Sequence, residues 1–112
     1  MRTIEHWIAG RPTTGSSTRF GVVWNPATGA RQAQVAYAEP ADVDAAVTAA
    51  AKAYESWRDV SVGRRARVMF RFAELVRGRI GELAGIIADE HGKVVADAEG
   101  EIARGLEVVE FV

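Results

Sequence analysis

The period of the apolar positions changes once along this chain, near residue 38. Before that point apolar residues come in short runs. Residues 4–8 form one, with Trp7, and end at Gly10. Phe20–Trp24 is a second, rich in β-branched and aromatic side chains. Residues 30–37 form a third, in which Ala33, Val35 and Tyr37 alternate with Gln32 and Gln34. Short runs of this kind bounded by turn residues predict strands. Residues 11–19 read as a polar loop. In Asn25-Pro26-Ala27-Thr28-Gly29 the proline fixes φ while asparagine and glycine suit the flanking turn positions. The third strand is expected to pair with the first two.

From Pro40 onward the period is helical. Proline suits the first helical position, and Asp42 places negative charge in the first turn. Glu39 stands at the N-cap, where serine, threonine, asparagine or aspartate would cap better. Val43, Val47, Ala50, Tyr54 and Trp57 follow one face. The other faces are nearly all alanine, which predicts a helix laid close against its neighbours. Ser61 caps a second helix with one long stripe, Met69, Phe72, Ala73, Val76, Ile80, Leu83 and Ile87. Fully burying side chains of this size is worth roughly 1.5–3 kcal/mol each, and the stripe needs a large surface to pack on. A third helix follows Glu90-His91-Gly92-Lys93, with Ala98, Ile102, Leu106 and Val109 on one face. Val108, Phe111 and Val112 add a second apolar face. The expected architecture is α/β, in the order β-β-β-α-α-α, over one domain spanning residues 1–112.

The third helix is unusual in keeping Gly100 and Gly105, each costing roughly 1 kcal/mol against alanine. Glycines retained there predict a close approach to the helix backbone. Arg104 lies about 200° around the axis from Ile102, off the apolar stripe. No C-cap glycine, last-turn base or proline marks an end to this helix, so the domain reads as incomplete at its C-terminal side.

Composition narrows the classes. The chain has 112 residues, 48% of them hydrophobic, and a net charge of −1. It is a globular composition with no global pull toward nucleic acid or a membrane surface. The charge is nonetheless uneven. Residues 61–88 carry six arginines against Glu74 and Glu82; residues 89–112 carry two basic groups against seven acidic ones. The two segments either attract each other or face separate partners. There is no cysteine, hence no disulfide framework, no thiolate metal site and no cysteine nucleophile among these residues. No apolar run approaches the roughly 20 residues of a membrane span. Residues 1–10 are too polar for a signal peptide, so a cytoplasmic address is the expectation.

Most motif-like stretches have a plain explanation. Gly92-Lys93 lacks the glycine five residues earlier and the Ser or Thr after lysine that a phosphate loop needs. Gly92 is expected to end a helix, with His91 and Lys93 near its negative end. Gly78-Arg79-Ile80-Gly81 lies in a helical pattern without a preceding strand, so it is no dinucleotide fingerprint. Arg64-Arg65-Ala66-Arg67 reads as a solvated helical turn whose arginines pair with acids, those at 89–101 being candidates. His6 and His91 have no partners at metal spacing. Asp97, Glu99, Glu101, Glu107 and Glu110 read as a solvated helix face. Arg104 has two readings. It forms an i,i+3 ion pair with Glu101 or Glu107, worth a few tenths of a kcal/mol, or it presents a fork for a carboxylate or phosphate.

The order of pieces resembles the N-terminal part of the aldehyde dehydrogenase superfamily. The matching residues are Trp7-Ile8-Ala9-Gly10, the Asn25–Gly29 turn, Asp42-Val43-Asp44-Ala45-Ala46-Val47 with Trp57, Arg64-Arg65-Ala66-Arg67, and Glu90 with Gly92-Lys93. Ala96-Asp97-Ala98-Glu99-Gly100-Glu101, followed by Arg104-Gly105-Leu106-Glu107-Val108-Val109-Glu110-Phe111, is similar to the CoA-acylating methylmalonate-semialdehyde dehydrogenase branch. The resemblance implies an NAD-dependent enzyme that oxidises malonate or methylmalonate semialdehyde and passes the acyl group to coenzyme A with loss of carbon dioxide. It implies a cysteine nucleophile and NAD-binding residues outside these 112 positions, an inactive chain in isolation, and a homo-oligomeric full-length enzyme, tetramer or dimer. It also implies that Arg104 binds the carboxylate of the substrate. Glu39 and Tyr37 depart mildly from the family pattern. Two other readings stay open: a segment of a succinate-semialdehyde or betaine-aldehyde type dehydrogenase, and a non-catalytic remnant acting as an interaction module.

Overall fold

The computed structural model describes residues 1–112. The chain divides into two compact units. One comprises Met1–Trp24 and Ala30–Asp59, the other Asn25–Gly29 and Val60–Val112.

The first unit holds five strands and one helix: β1 (Arg2–Ile4), β2 (His6–Ile8), β3 (Arg11–Thr13), β4 (Phe20–Trp24), β5 (Arg31–Ala36) and α1 (Pro40–Trp57). β5 is central in a mixed three-stranded sheet. β1 runs parallel to it with Thr3 opposite Gln34, and β4 antiparallel with Val22 opposite Gln34. Ala33 and Ala36 of β5 are buried. The two expected apolar strands therefore flank the third, but the first of them is only half of what periodicity suggested. The 4–8 run is split at Glu5, and its second half joins a separate two-stranded hairpin with β3. The cause is the turn. Ala9 and Gly10 both have positive φ, 52° and 78°, the geometry of a two-residue hairpin loop matched to strand twist. That turn folds residues 11–13 back as a strand, where a plain loop was expected. Pro12 is tolerated because a two-stranded ribbon has only edges.

α1 begins with Pro40 as expected, and Glu39 at its N-cap donates its backbone N–H to Asp42 Oδ2 at 2.9 Å. Asp42 Oδ1 accepts from the Ser16 N–H at 2.8 Å and the Ser16 hydroxyl at 3.1 Å. These contacts bury the carboxylate and hold its pKa below the ordinary value. The Glu39 N–H is the largest cause and the Ser16 N–H the next; burial opposes them and the Ser16 hydroxyl and His6 assist. Gly15, at φ +67°, makes the approach possible, since a Cβ there would fall 2.5 Å from Asp42 Oδ1. The expected close packing of α1 is not found. Val43, Val47, Tyr54 and Trp57 are 52%, 62%, 60% and 43% exposed. The half-covered positions are Ala46 and Ala49, on the same side as Asp42. α1 is thus held at its first turn by a polar anchor and small residues.

The two departures from the family pattern explain each other. Arg19 pairs with Glu39 at 3.1 Å and lies over the Tyr37 ring, 6.0 Å from its centroid. The Tyr37 hydroxyl in turn occupies the space left by the missing side chain of Gly21.

The second unit contains α2 (Val62–Arg77), α3 (Ile80–His91) and α4 (Val95–Phe111). The single helix expected across 61–88 is two. The break falls at Gly78 and Arg79, where Gly78 N–H bonds to Glu74 O and Arg79 N–H tightens to Val76 O. Glycine is the weakest helix former besides proline, and two of them, Gly78 and Gly81, bracket the junction. The order is therefore five strands and four helices, where three of each were expected. The apolar stripe survives the break. Ala73 and Ala84 are buried with Ala98, Ile102 and Leu106 of α4, and Val76, Ile80, Leu83, Ile87 and Val109 pack around them. The stripe is only partly covered. Phe72, Val76, Leu83, Ile86, Ile87, Ile102, Gly105, Leu106 and Val109 line an open apolar groove of about 300 Å³. No helix is long and apolar enough to cross a membrane.

Candidate functional site

The site is built on α4 and the turn that precedes it. α3 ends at Gly92 in the left-handed conformation, φ 79°, with its N–H bonded to Ala88 O. This is the helix stop expected from the sequence. Only glycine takes this φ readily, and a Cβ at Gly92 would also stand 2.9 Å from Pro26 Cγ of the Asn25–Gly29 turn. The chain therefore leaves α3 along one path, and Lys93 and Val94 lead directly into α4.

α4 is seated by Ala98, Ile102 and Leu106, all buried. That seating fixes the rotation of the helix and leaves Arg104 exposed on another side. Side chains of a helix lean toward its N-terminus, and Arg104 does so. A Cβ on Gly100 would lie 3.7 Å from Arg104 Nη1, an ordinary contact. Gly105, by contrast, meets nothing within 4 Å and contributes bare backbone to the apolar groove. The close approach expected at both glycines is thus made by the helix's own arginine at one and is open space at the other.

Neither carboxylate expected to neutralise Arg104 does so. Glu101 Oε1 lies 2.6 Å from Lys93 Nζ, and the Lys93 side chain is only 20% exposed. The lysine, through that hydrogen bond, is the chief cause that holds the Glu101 carboxyl below its ordinary pKa; burial opposes it, and His91 and Arg104 contribute more weakly. Glu107 is exposed and forms no ion pair with Arg104. Of the acids on this helix, Glu110 is taken by Arg77 of α2. That pair is where the basic and acidic segments meet. The arginines at 64, 65 and 67 do not reach the acids at 89–101 as expected; the Arg65 Nε is buried without a partner.

No group of three or more His, Cys, Asp or Glu comes together to hold a metal. Gly78-Arg79-Ile80-Gly81 joins two helices, and Gly92-Lys93 joins two more with its lysine already paired. A dinucleotide cradle needs a strand, a glycine turn and a helix N-terminus aimed at the pyrophosphate. No such strand, glycine turn and helix occur in sequence here, where β5 is followed by α1 and the remaining elements are helices. Two contacts were missed in sequence. Asp42 as a buried anchor had a signal, a carboxylate three residues after an N-cap position, which is the capping-box spacing. Lys93–Glu101 had none, because Lys93 precedes the helix and helical spacing does not apply to it.

Residues 13–112 match the model of the aldehyde dehydrogenase family, and the chain belongs to that family. Within it the chain is similar to malonate-semialdehyde dehydrogenase 3 of Geobacillus kaustophilus, 44% identical over 110 residues, 98% of this chain and 23% of that protein. It is also similar to malonate-semialdehyde dehydrogenase 2 of Shouchella clausii, 41% identical over 99% of this chain and 23% of that protein. Its backbone superposes on a methylmalonate-semialdehyde dehydrogenase of Sinorhizobium meliloti solved with NAD, with a TM-score of 0.97 and 44% identity, over 99% of this chain and 23% of that one. A benzaldehyde dehydrogenase of Corynebacterium glutamicum matches at 30% identity and a TM-score of 0.88, over 94% of this chain and 23% of that one. The chain thus spans under a quarter of the relatives it matches.

Proposed function

We propose that these residues are the N-terminal segment of an NAD-dependent, CoA-acylating dehydrogenase acting in the cytoplasm as a homo-oligomer, tetramer or dimer. The reaction is malonate semialdehyde, coenzyme A and NAD⁺ giving acetyl-CoA, carbon dioxide and NADH, with methylmalonate semialdehyde giving propionyl-CoA. The observation that carries the reading is Arg104, exposed on a seated helix with its neighbouring glutamate already engaged. A substrate that ends in a free carboxylate is held best by a planar guanidinium, which presents two parallel donors. Held there, the carboxylate orients the aldehyde carbon toward a cysteine supplied by the rest of the enzyme. The similarity to malonate-semialdehyde dehydrogenases supports the same substrate. These residues contain no cysteine and no dinucleotide fingerprint, so the chain alone is expected to be inactive.

The test is a hybrid enzyme in which residues 1–112 replace the matching segment of the Geobacillus kaustophilus dehydrogenase. The hybrid is expected to form NADH from malonate semialdehyde in a CoA-dependent way, and the isolated chain to form none. In the hybrid, Arg104→Ala is expected to lower kcat/KM for malonate semialdehyde by roughly 2–5 kcal/mol, the order seen when one partner of a buried charge pair is removed. Propanal, which has no carboxylate, should be almost unaffected. Equal losses on both aldehydes would make Arg104 structural and overturn the reading.

A further inference from the structure

We propose that Lys93 is a positioning residue: by holding Glu101 it keeps the guanidinium of Arg104 free to receive a substrate carboxylate. The proposal rests on the reading of Arg104 just given, and deepens it.

The problem that Lys93 solves is built into α4. Glu101 precedes Arg104 by three residues, a spacing at which glutamate and arginine meet on a helix surface. Such an internal carboxylate competes with substrate at the effective concentration of a tethered group, on the order of millimolar. A receptor occupied by its own side chain binds its ligand more weakly by the fraction of time it stands open. An arginine meant for a small carboxylate is therefore poorly served by a free glutamate one turn away. Here that glutamate is not free. Its Oε1 is 2.6 Å from Lys93 Nζ, and Arg104 is left without an ion pair. Lys93 also offsets much of the charge of Glu101, so Arg104 feels that carboxylate only weakly, without a contact ion pair.

Lys93 can do this because its own position is imposed. It follows the left-handed Gly92, which packs against Pro26, and its side chain is 20% exposed where that of Glu101 is 44% exposed. The lysine is the more covered partner and the glutamate the more exposed one. Most of the lysine stem is already covered, so less side-chain entropy remains to oppose the pair than for a fully exposed one.

The experiment uses the hybrid dehydrogenase. Lys93→Met releases Glu101, and the KM for malonate semialdehyde is expected to rise about tenfold, as it would if Glu101 then occupied Arg104 nine-tenths of the time. The constants for propanal should move less than about twofold on the same grounds, since propanal does not use Arg104. Adding Glu101→Gln to Lys93→Met removes the competitor and should return the KM for malonate semialdehyde to near its original value. Glu101→Gln alone should leave that KM unchanged, and Lys93→Arg should preserve it. A lysine that merely stabilised the fold would not give loss on one aldehyde with rescue by a second charge removal. The proposal fails, with the reading of Arg104 intact, if Arg104→Ala spares propanal while Lys93→Met leaves the malonate semialdehyde KM unmoved or the double variant is not rescued. It also fails if Glu101→Gln alone raises that KM, a measurement that stands even where Lys93→Met yields no folded enzyme. Equal loss on both aldehydes with Arg104→Ala overturns the reading and the proposal together.

Discussion

α1 and α4 carry similar sequence signals and end in opposite states. Each has apolar residues at helical spacing along one side. On α4 that side is the buried one: Ala98, Ile102 and Leu106 sit in the core of their unit. On α1 the side with Val43, Val47, Tyr54 and Trp57 is open to solvent, and the helix is held instead through the Asp42 carboxylate. Periodicity identifies which residues share a face. Whether that face is covered depends on what else is present, and here one face is covered and the other is not.

A matched pair of truncations separates the two helices most sharply. Ile102→Ala on α4 is expected to cost roughly 2–5 kcal/mol of stability. Val47→Ala on α1, which removes an exposed side chain, should cost no more than about 0.5 kcal/mol. Urea unfolding of the purified chain followed by circular dichroism measures both, and comparable losses would mean that the α1 face is covered. Next in size is the consequence of leaving such faces open. The purified chain is expected to bind a hydrophobic dye and to self-associate. Val47→Lys with Tyr54→Lys should reduce both without loss of helix, whereas a monomer with no bound dye contradicts the expectation.

The anchor of α1 adds a pH effect that the apolar seat of α4 lacks. The Asp42 carboxyl is held below its ordinary value, 3.8. Its stabilisation is therefore fully present above that value and disappears as the pH falls through the lower folded one. The amide signals of Ser16 and Glu39, which donate to Asp42, should titrate with a midpoint below 3.8, and Asp42→Asn should abolish that transition. A midpoint at or above the ordinary value would remove the anchor from the account. The smallest effect concerns α4 alone. Arg77→Ala removes the partner of Glu110, a pair about half exposed on each side. The loss should lie within about 1 kcal/mol and shrink in salt.

Much of this was legible in the chain. Phe20–Trp24, the Pro40 helix start, the Gly92 helix stop and the α4 face were all readable from local chemistry, and all are found. The misses have physical causes. The β2–β3 hairpin was hidden because Ala9 takes a positive φ that sequence preference argues against. The break at Gly78 was hidden because the apolar stripe runs through it unchanged. At the candidate site Arg104 could be singled out, but its freedom from Glu101 could not. That depends on a lysine outside the helix, placed by a glycine conformation and a proline from far earlier in the chain.

The parallel pairing of β1 with β5 also sets an order of events. Thr3 and Gln34 lie 31 residues apart in sequence, joined by a hydrogen bond between their side chains. β4 meets β5 across the short Asn25–Gly29 turn, so that pair closes a small loop and can form early. β1 must wait for the longer closure, and it contributes only three residues when it arrives. It is therefore expected to be the last strand to join this sheet and the first to leave it. Amide exchange along the sheet should therefore be fastest in Arg2–Ile4, well before β5 gives up its bonds to β4.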